Sequence, residues 1–308
     1  MSETCGKGID DAYLVFSGIL FFTIVRAFMM TYIFTPFGRS QGICRAKPVM
    51  RFAEQAWGCS WALTSWSCGM YLFYYSSYWL NLDEFYSTWP EIRLDPLFKL
   101  YYLMQISFWL QCILALNLEA KRKDYVQMFG HHILTSTLLI ASYAFNTTRV
   151  GHVILTLMDF ADIFLPLAKM LKYLGYQNLC DGTFVIFLAS WVVTRHYLLV
   201  KIIIHAHVVQ PIKLKSGRNI TWCFVAMLAG LEALICVWSY AIGRVLWGII
   251  RGGNADDSRS DTEDSDEEPD KPVSRDLDLP EVGVNGGLLV SSRTDVQANG
   301  SLSEKKRK

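Results

Sequence analysis

Hydrophobic and polar positions along the chain fall into long apolar runs separated by short charged loops. Seven runs of about 18–28 residues lie near 12–34, 56–80, 98–118, 125–148, 151–172, 183–207 and 221–248, and each is long enough to cross a bilayer as a helix. The pattern predicts an all-α fold, a polytopic transmembrane helical bundle of about seven spans. The first run has no basic region ahead of it and no small-residue cleavage site, so it reads as a retained span and not as a signal peptide.

The loops add orientation. Basic residues follow the first run (Arg39, Arg45, Lys47, Arg51), the third (Lys121, Arg122, Lys123) and the fifth (Lys169, Lys172). The loop after the second run is acidic, with Asp83, Glu84, Glu91 and Asp95 against Arg93. The positive-inside bias then predicts a lumenal N-terminus and a cytosolic C-terminus. The segment 210–220, basic through Lys213, Lys215 and Arg218, falls on the predicted lumenal side and runs against that orientation. Sequons at Asn146 and Asn219 fall in loops on the same side, close to the membrane face.

Periodicity stops near Gly252. The following DDSRSDTEDSDEEPD is acidic, and the remainder is polar with Gly, Pro and Ser, a composition that cannot bury enough apolar surface to fold. Three regions result: residues 1–50 with the first span and a cytosolic loop, 51–250 as the main membrane domain, and 251–308 as a disordered cytosolic tail. Ser258, Ser260 and Ser265 each precede an acidic residue by three positions, the pattern acidophilic kinases favour; a solvating tail with incidental serines explains them equally well. The chain ends KKRK, with Lys305 and Lys306 placed as in an endoplasmic-reticulum retrieval signal.

Charge excludes one class of partner. Lys and Arg number 29 against 28 Asp and Glu, so nothing points to nucleic acid. The eight cysteines are scattered, mostly within spans, with no zinc-ligand spacing. No cofactor and no metal are expected.

Candidate chemistry concentrates in residues 131–173. Ionisable side chains within membrane-length apolar runs are costly and mark function by default. His131 and His132 open one run; Asp159 and Asp162 sit in the middle of the next, with a tight break expected at 148–151. If both runs are helices rising about 1.5 Å per residue, the His pair and Asp162 share one depth to within a turn. His131 and Thr135 share a face, as do Asp159 and Asp162, whereas His131 and His132 diverge by about 100°. A buried structural cluster joining two helices is the alternative reading. Arg195 at mid-run neutralises one of the two Asp or meets substrate. His152, His205 and His207 read as interfacial, and Lys169 with Tyr173 as closing a helix at the interface.

With those residues in view, the sequence resembles the ceramide synthases, the acyltransferase branch of the TLC-domain membrane proteins. The resemblance rests on His131, His132, Thr135, Ser142, Tyr143, Gly151, Asp159, Asp162, Lys169 and Tyr173. It extends through KGIDDAYLVF near the N-terminus, FAEQAW at Phe52–Trp57, YYLMQISFW at Tyr101–Trp109, RKDY at Arg122–Tyr125 and the Arg195–His196 pair. The homeobox-like insert of animal members is missing, and the acidic tail with its dilysine end is similar to fungal members.

The resemblance implies a six-helix TLC core with one further N-terminal helix, an endoplasmic-reticulum membrane setting, and transfer of a fatty acyl group from acyl-CoA to the amine of a sphingoid base. Acyl-CoA enters as co-substrate, and homo- or hetero-oligomers with a related synthase or a small regulatory subunit stay open. His131 or His132 can deprotonate the incoming ammonium or carry the acyl group. Asp159 and Asp162 can orient an imidazole or hold the ammonium. Thr135, Tyr143 and Arg195 are candidate substrate contacts, and Arg122 and Lys123 can meet coenzyme A phosphates. A non-catalytic lipid sensor or translocation partner, or a proton-coupled transporter, are the competing classes.

Overall fold

The structure is a computed structural model that describes residues 4–87, 89–119, 124–206 and 218–251. Helix α1 (Asp10–Phe28) continues through a widened π segment (Met29–Phe34) into α2 (Thr35–Ser40). Next come α3 (Ala46–Tyr74), α4 (Pro96–Leu118), α5 (Tyr125–Ala144) and α6 (Thr148–Tyr173). Helix α7 (Gln177–Trp191) runs through a second π segment (Val192–Leu198) into α8 (Leu199–Ile204), and α9 spans Arg218–Ile250. Each of the seven apolar runs thus carries helix, and the all-α reading holds.

The span count is smaller by composition. Among the described residues, five helical stretches are long and apolar enough to cross a membrane: Asp10–Ser40, Pro96–Leu118, Thr148–Tyr173, Gln177–Ile204 and Trp222–Trp247. The chain is a multi-pass membrane protein. Helices α3 and α5 are absent from that set; they carry Ser65, His132, Ser136 and Ser142 buried against their neighbours.

The α5–α6 hairpin turns earlier than the sequence suggests. Residues 145–147 make the turn, with Asn146 in the left-handed region at φ 59°, and α6 begins at Thr148. Gly151 therefore lies inside α6, where its missing side chain matters for packing. A Cβ there would sit 2.2 Å from the Tyr102 hydroxyl and 2.8 Å from Ser142 Oγ. Gly69 on α3 plays the same part, its Cβ position 2.5 Å from Thr156 Oγ1. These two glycines let α4 and α3 close on α6.

Packing follows from these approaches. Helix α6 is central, with α3 on one side and α7 on another, while α4 lies between α1 and α5. The core cluster of Phe187, Trp191, Leu199, Leu228, Leu231, Ile235, Trp238 and Ile242 joins α7 and α8 to α9. A second, with Phe98, Tyr102, Leu103, Ile106, Leu139 and Leu155, joins α4 to the hairpin.

The residues before α1 form a strap over the hairpin turn. A two-residue strand β1 (Cys5–Gly6) pairs antiparallel with β2 (Arg93–Leu94). Lys7 Nζ donates to Asn146 Oδ1 at 2.7 Å and to the Tyr143 carbonyl at 3.0 Å. Asp11 accepts from the Tyr143 hydroxyl at 2.7 Å and pairs with Lys99 at 2.6 Å. Beside it Arg149 forks onto the Glu91 carboxylate at 2.7–3.2 Å and covers the Tyr78 ring. The Asn146 side chain is thus engaged in the fold.

Candidate functional site

An elongated apolar pocket lies between α5, α6, the π segment after α7, and α9, with Tyr102 and Trp109 of α4 as its floor. Its cavity volume is about 70 Å³. His131 and Ser142 both line it, and helical rise puts them about 16 Å apart along α5. Polar groups mark both ends. His131, Thr135, Asp162 and Arg195 lie at one, Ser142, Thr147 and Gly151 at the other, and Leu138, Leu139, Ile154 and Leu155 fill the length between.

At the first end, His131 is held between indoles, with ring centroids 5.4 Å from Trp109 and 5.1 Å from Trp238. Its Nδ1 and the Thr135 hydroxyl are buried with no hydrogen-bond partner among the described residues. Buried polar atoms left unpaired are costly, so they are poised for a ligand. Arg195 reaches from the π segment to pair with the Asp162 carboxylate. It also donates to the Met158 carbonyl at 3.3 Å, with its guanidinium stacked 4.3 Å over the Trp191 ring. Nearly all of the Arg195 side chain is buried, whereas the Asp162 side chain is 45% exposed and open to a ligand.

The four-residue cluster expected from sequence divides. His131 and Asp162 line the pocket, while His132 and Asp159 do not. The His132 ring lies 5.5 Å from both Trp109 and His131, and its Nδ1 too is buried without a hydrogen-bond partner among the described residues. Asp159, about 60° round α6 from Asp162, turns its buried carboxylate to accept from Ser65 of α3, which in turn accepts from Gln105 of α4. Residues three apart on a helix share a broad face only, and the neighbours pulled these two carboxylates apart. The ion pair of Arg195 is accordingly with Asp162.

Other sequence readings are corrected as well. Tyr143 faces the strap, under Lys7 and bonded to Asp11, and is no part of the pocket lining. His152 is fully buried, not interfacial. Tyr78 meets its Nδ1 at 2.9 Å and the Gly69 carbonyl meets its Nε2 at 3.0 Å, with Phe73, Phe98 and Tyr101 around the ring. An aromatic box contributed by other helices leaves no trace in the spacing around residue 152. His205 pairs with Asp83 at 3.3 Å near the helix end. Arg122, Lys123, His207 and the whole tail with Ser258, Ser260, Ser265, Lys305 and Lys306 lie outside the described residues.

Sequence reasoning missed Trp109, Trp191 and Trp238, which shape the polar end of the pocket, and the network on its outer side. There His196, Glu232 and Cys236 bring one donor atom each within 4.8 Å of one another. Both imidazole nitrogens are already engaged, Nδ1 with Glu232 and Nε2 with Ser239, each at 2.8 Å. A metal ion there would have to displace one of them.

A membrane helical bundle with a His, a carboxylate and an Arg at one end of a long apolar slot defines a class, an intramembrane protein acting on a lipid chain. Residues 51–244 match the TLC domain family. A sphingosine N-acyltransferase of Schizosaccharomyces pombe is 41% identical over 274 residues, covering 85% of this chain and 70% of that protein. A sphingosine N-acyltransferase-like protein of Alternaria alternata is 37% identical, covering 86% and 70%. A ceramide synthase of Saccharomyces cerevisiae is 32% identical, covering 89% and 69%. The chain belongs to the TLC-domain family, in its sphingosine N-acyltransferase branch.

Proposed function

We propose that the protein is a ceramide synthase of the endoplasmic-reticulum membrane, its C-terminus cytosolic, joining the acyl group of acyl-CoA to the amine of a sphingoid base. The observation that carries this reading is the convergence of His131, Thr135, Asp162 and Arg195 on one end of an apolar slot. The relatives named above support the choice of reaction. The slot suits a fatty chain, with its reactive carbonyl held at the polar end.

The chemistry divides as follows. The sphingoid amine arrives as an ammonium and attacks only after losing a proton. His131, with a free Nδ1, either takes that proton or attacks the thioester carbon itself. In the second case the C–S bond breaks, the thiolate leaves and is protonated, and an acyl-imidazole remains. The amine then attacks it, the amide forms, and the imidazole is regenerated. Asp162, the exposed half of its ion pair, holds the ammonium before deprotonation, while Arg195 keeps the carboxylate aimed. Thr135 Oγ1 offers a hydrogen bond to the substrate. Arg122 and Lys123 meet the coenzyme A phosphates.

Incubating the purified protein with acyl-CoA and sphinganine and detecting ceramide by mass tests the reading; no ceramide from well-folded protein refutes it. We rank His131 above His132 because only His131 lines the slot. His131→Ala should cost at least about a hundredfold in turnover, within the range for loss of a general base. His132→Ala, removing a ring outside the pocket, should cost clearly less. Equal losses, or a larger loss at His132, would reverse the assignment.

A further inference from the structure

The outer side of the π segment carries a hydrogen-bond chain that the reaction as described does not use. Ser239 of α9 donates its single proton to the Ile235 carbonyl at 2.8 Å. Its oxygen is therefore an acceptor for its other two neighbours, the Trp191 indole N–H and His196 Nε2, both at 2.8 Å. With the Ser239 proton on the Ile235 carbonyl, the tautomer of His196 that fits is the one with a proton on Nε2. Its Nδ1 lies 2.8 Å from Glu232 Oε1. The second Glu232 oxygen is buried without a partner among the described residues.

This hydrogen-bond chain ends on the reactive side. The Trp191 ring, whose N–H is pinned by Ser239, is the surface on which the Arg195 guanidinium stacks at 4.3 Å. Arg195 in turn pairs with Asp162 at the pocket. Adjacent residues on this segment face different helices, as on any helical turn, Arg195 toward α6 and His196 toward α9. Widened turns of this kind recur at functional sites.

We infer that His196, Glu232 and Ser239 are positioning residues that fix the Trp191 ring and the π segment so that Arg195 holds Asp162 at the pocket. None of them touches substrate. The inference rests on the proposed ceramide synthase reading for its kinetic consequence, and on geometry alone for its structural one.

Four variants test it: Ser239→Ala, Ser239→Thr, Glu232→Ala and Glu232→Gln, each assayed for ceramide formation and for thermal unfolding in detergent. Ser239→Ala strips the acceptor from two N–H groups, and Thr restores it. Glu232→Ala leaves His196 Nδ1 alone, and the Gln amide can still donate to it. The expected result is a roughly tenfold fall in kcat for both Ala variants, with KM for acyl-CoA within about twofold of wild type. Thr and Gln should recover most of kcat, and all four proteins should melt within a few degrees of wild type. Wild-type kcat in the Ala variants, or a loss that Thr and Gln do not repair, overturns the inference. So does a loss that follows the melting temperature.

Amide hydrogen exchange supplies a readout that needs no turnover. The peptide covering 191–199 should exchange faster in Ser239→Ala and at the wild-type rate in Ser239→Thr. Unchanged exchange in Ser239→Ala overturns the inference even if the protein makes no ceramide. A wild type without ceramide formation, showing the expected exchange difference, removes only the reaction assignment.

Discussion

At the scale of single residues, two carboxylates three positions apart have different work. Asp159 binds α6 to α3 and α4 through Ser65 and Gln105, and Asp162 faces the pocket through Arg195. Replacing Asp159 by Ala leaves the Ser65 hydroxyl and the chain behind it unsatisfied, at a cost of about 1–3 kcal/mol. Thermal unfolding should fall by several degrees for Asp159→Ala, and an unchanged melting temperature would contradict this tie. Lys7 gives a prediction in pH. Burial holds its ammonium down, to about 8, outweighing the opposite pull of Glu91 and Asp11. A base with a lower pKa folded than unfolded binds protons more readily when unfolded. Stability from this site therefore rises as pH climbs from about 8 toward the ordinary lysine value. The group is only half buried, so screening keeps the gain small. The melting difference between wild type and Lys7→Met should shift in favour of wild type across that window, and a constant difference would refute the account.

At the scale of elements, Gly151 and Gly69 set the spacing of α4 and α3 against α6. A Val at position 151 has to displace the Tyr102 and Ser142 hydroxyls, and overpacking of this kind costs about 1–3 kcal/mol. Gly151→Val should lower the melting temperature and narrow the slot, seen as reduced turnover with the longest acyl-CoA first. Uniform turnover across chain lengths would detach Gly151 from the slot. What the sequence disclosed at this scale was whatever a single helix decides alone. His131 and Thr135 do line one pocket, because four residues are nearly one turn. His132 does diverge, for the same reason. The facing of Asp159, the burial of His152 and the partner of Tyr143 depend on α3, α4 and the strap, which local spacing cannot position. The widened turn at Val192–Leu198 was hidden too, since no glycine or proline within it announces a change of pitch.

At the scale of the whole molecule, the family match ends at residue 244 and every residue placed at the candidate site precedes it. Removing residues 255–308 should leave ceramide formation by detergent-solubilised protein within about threefold of the full chain, well under one pKa unit's worth of energy. A dead truncation would assign the tail a part in the reaction. The strap has a consequence for how the protein is made. Lys7 docks on Asn146, 139 residues further on. At about 5–20 residues per second, a ribosome needs on the order of ten seconds to supply that partner. Lys7 and Asp11 therefore leave the ribosome well before their seats on the hairpin exist, and until α5 and α6 have inserted, whatever guards them must come from water, lipid headgroups or the insertion machinery.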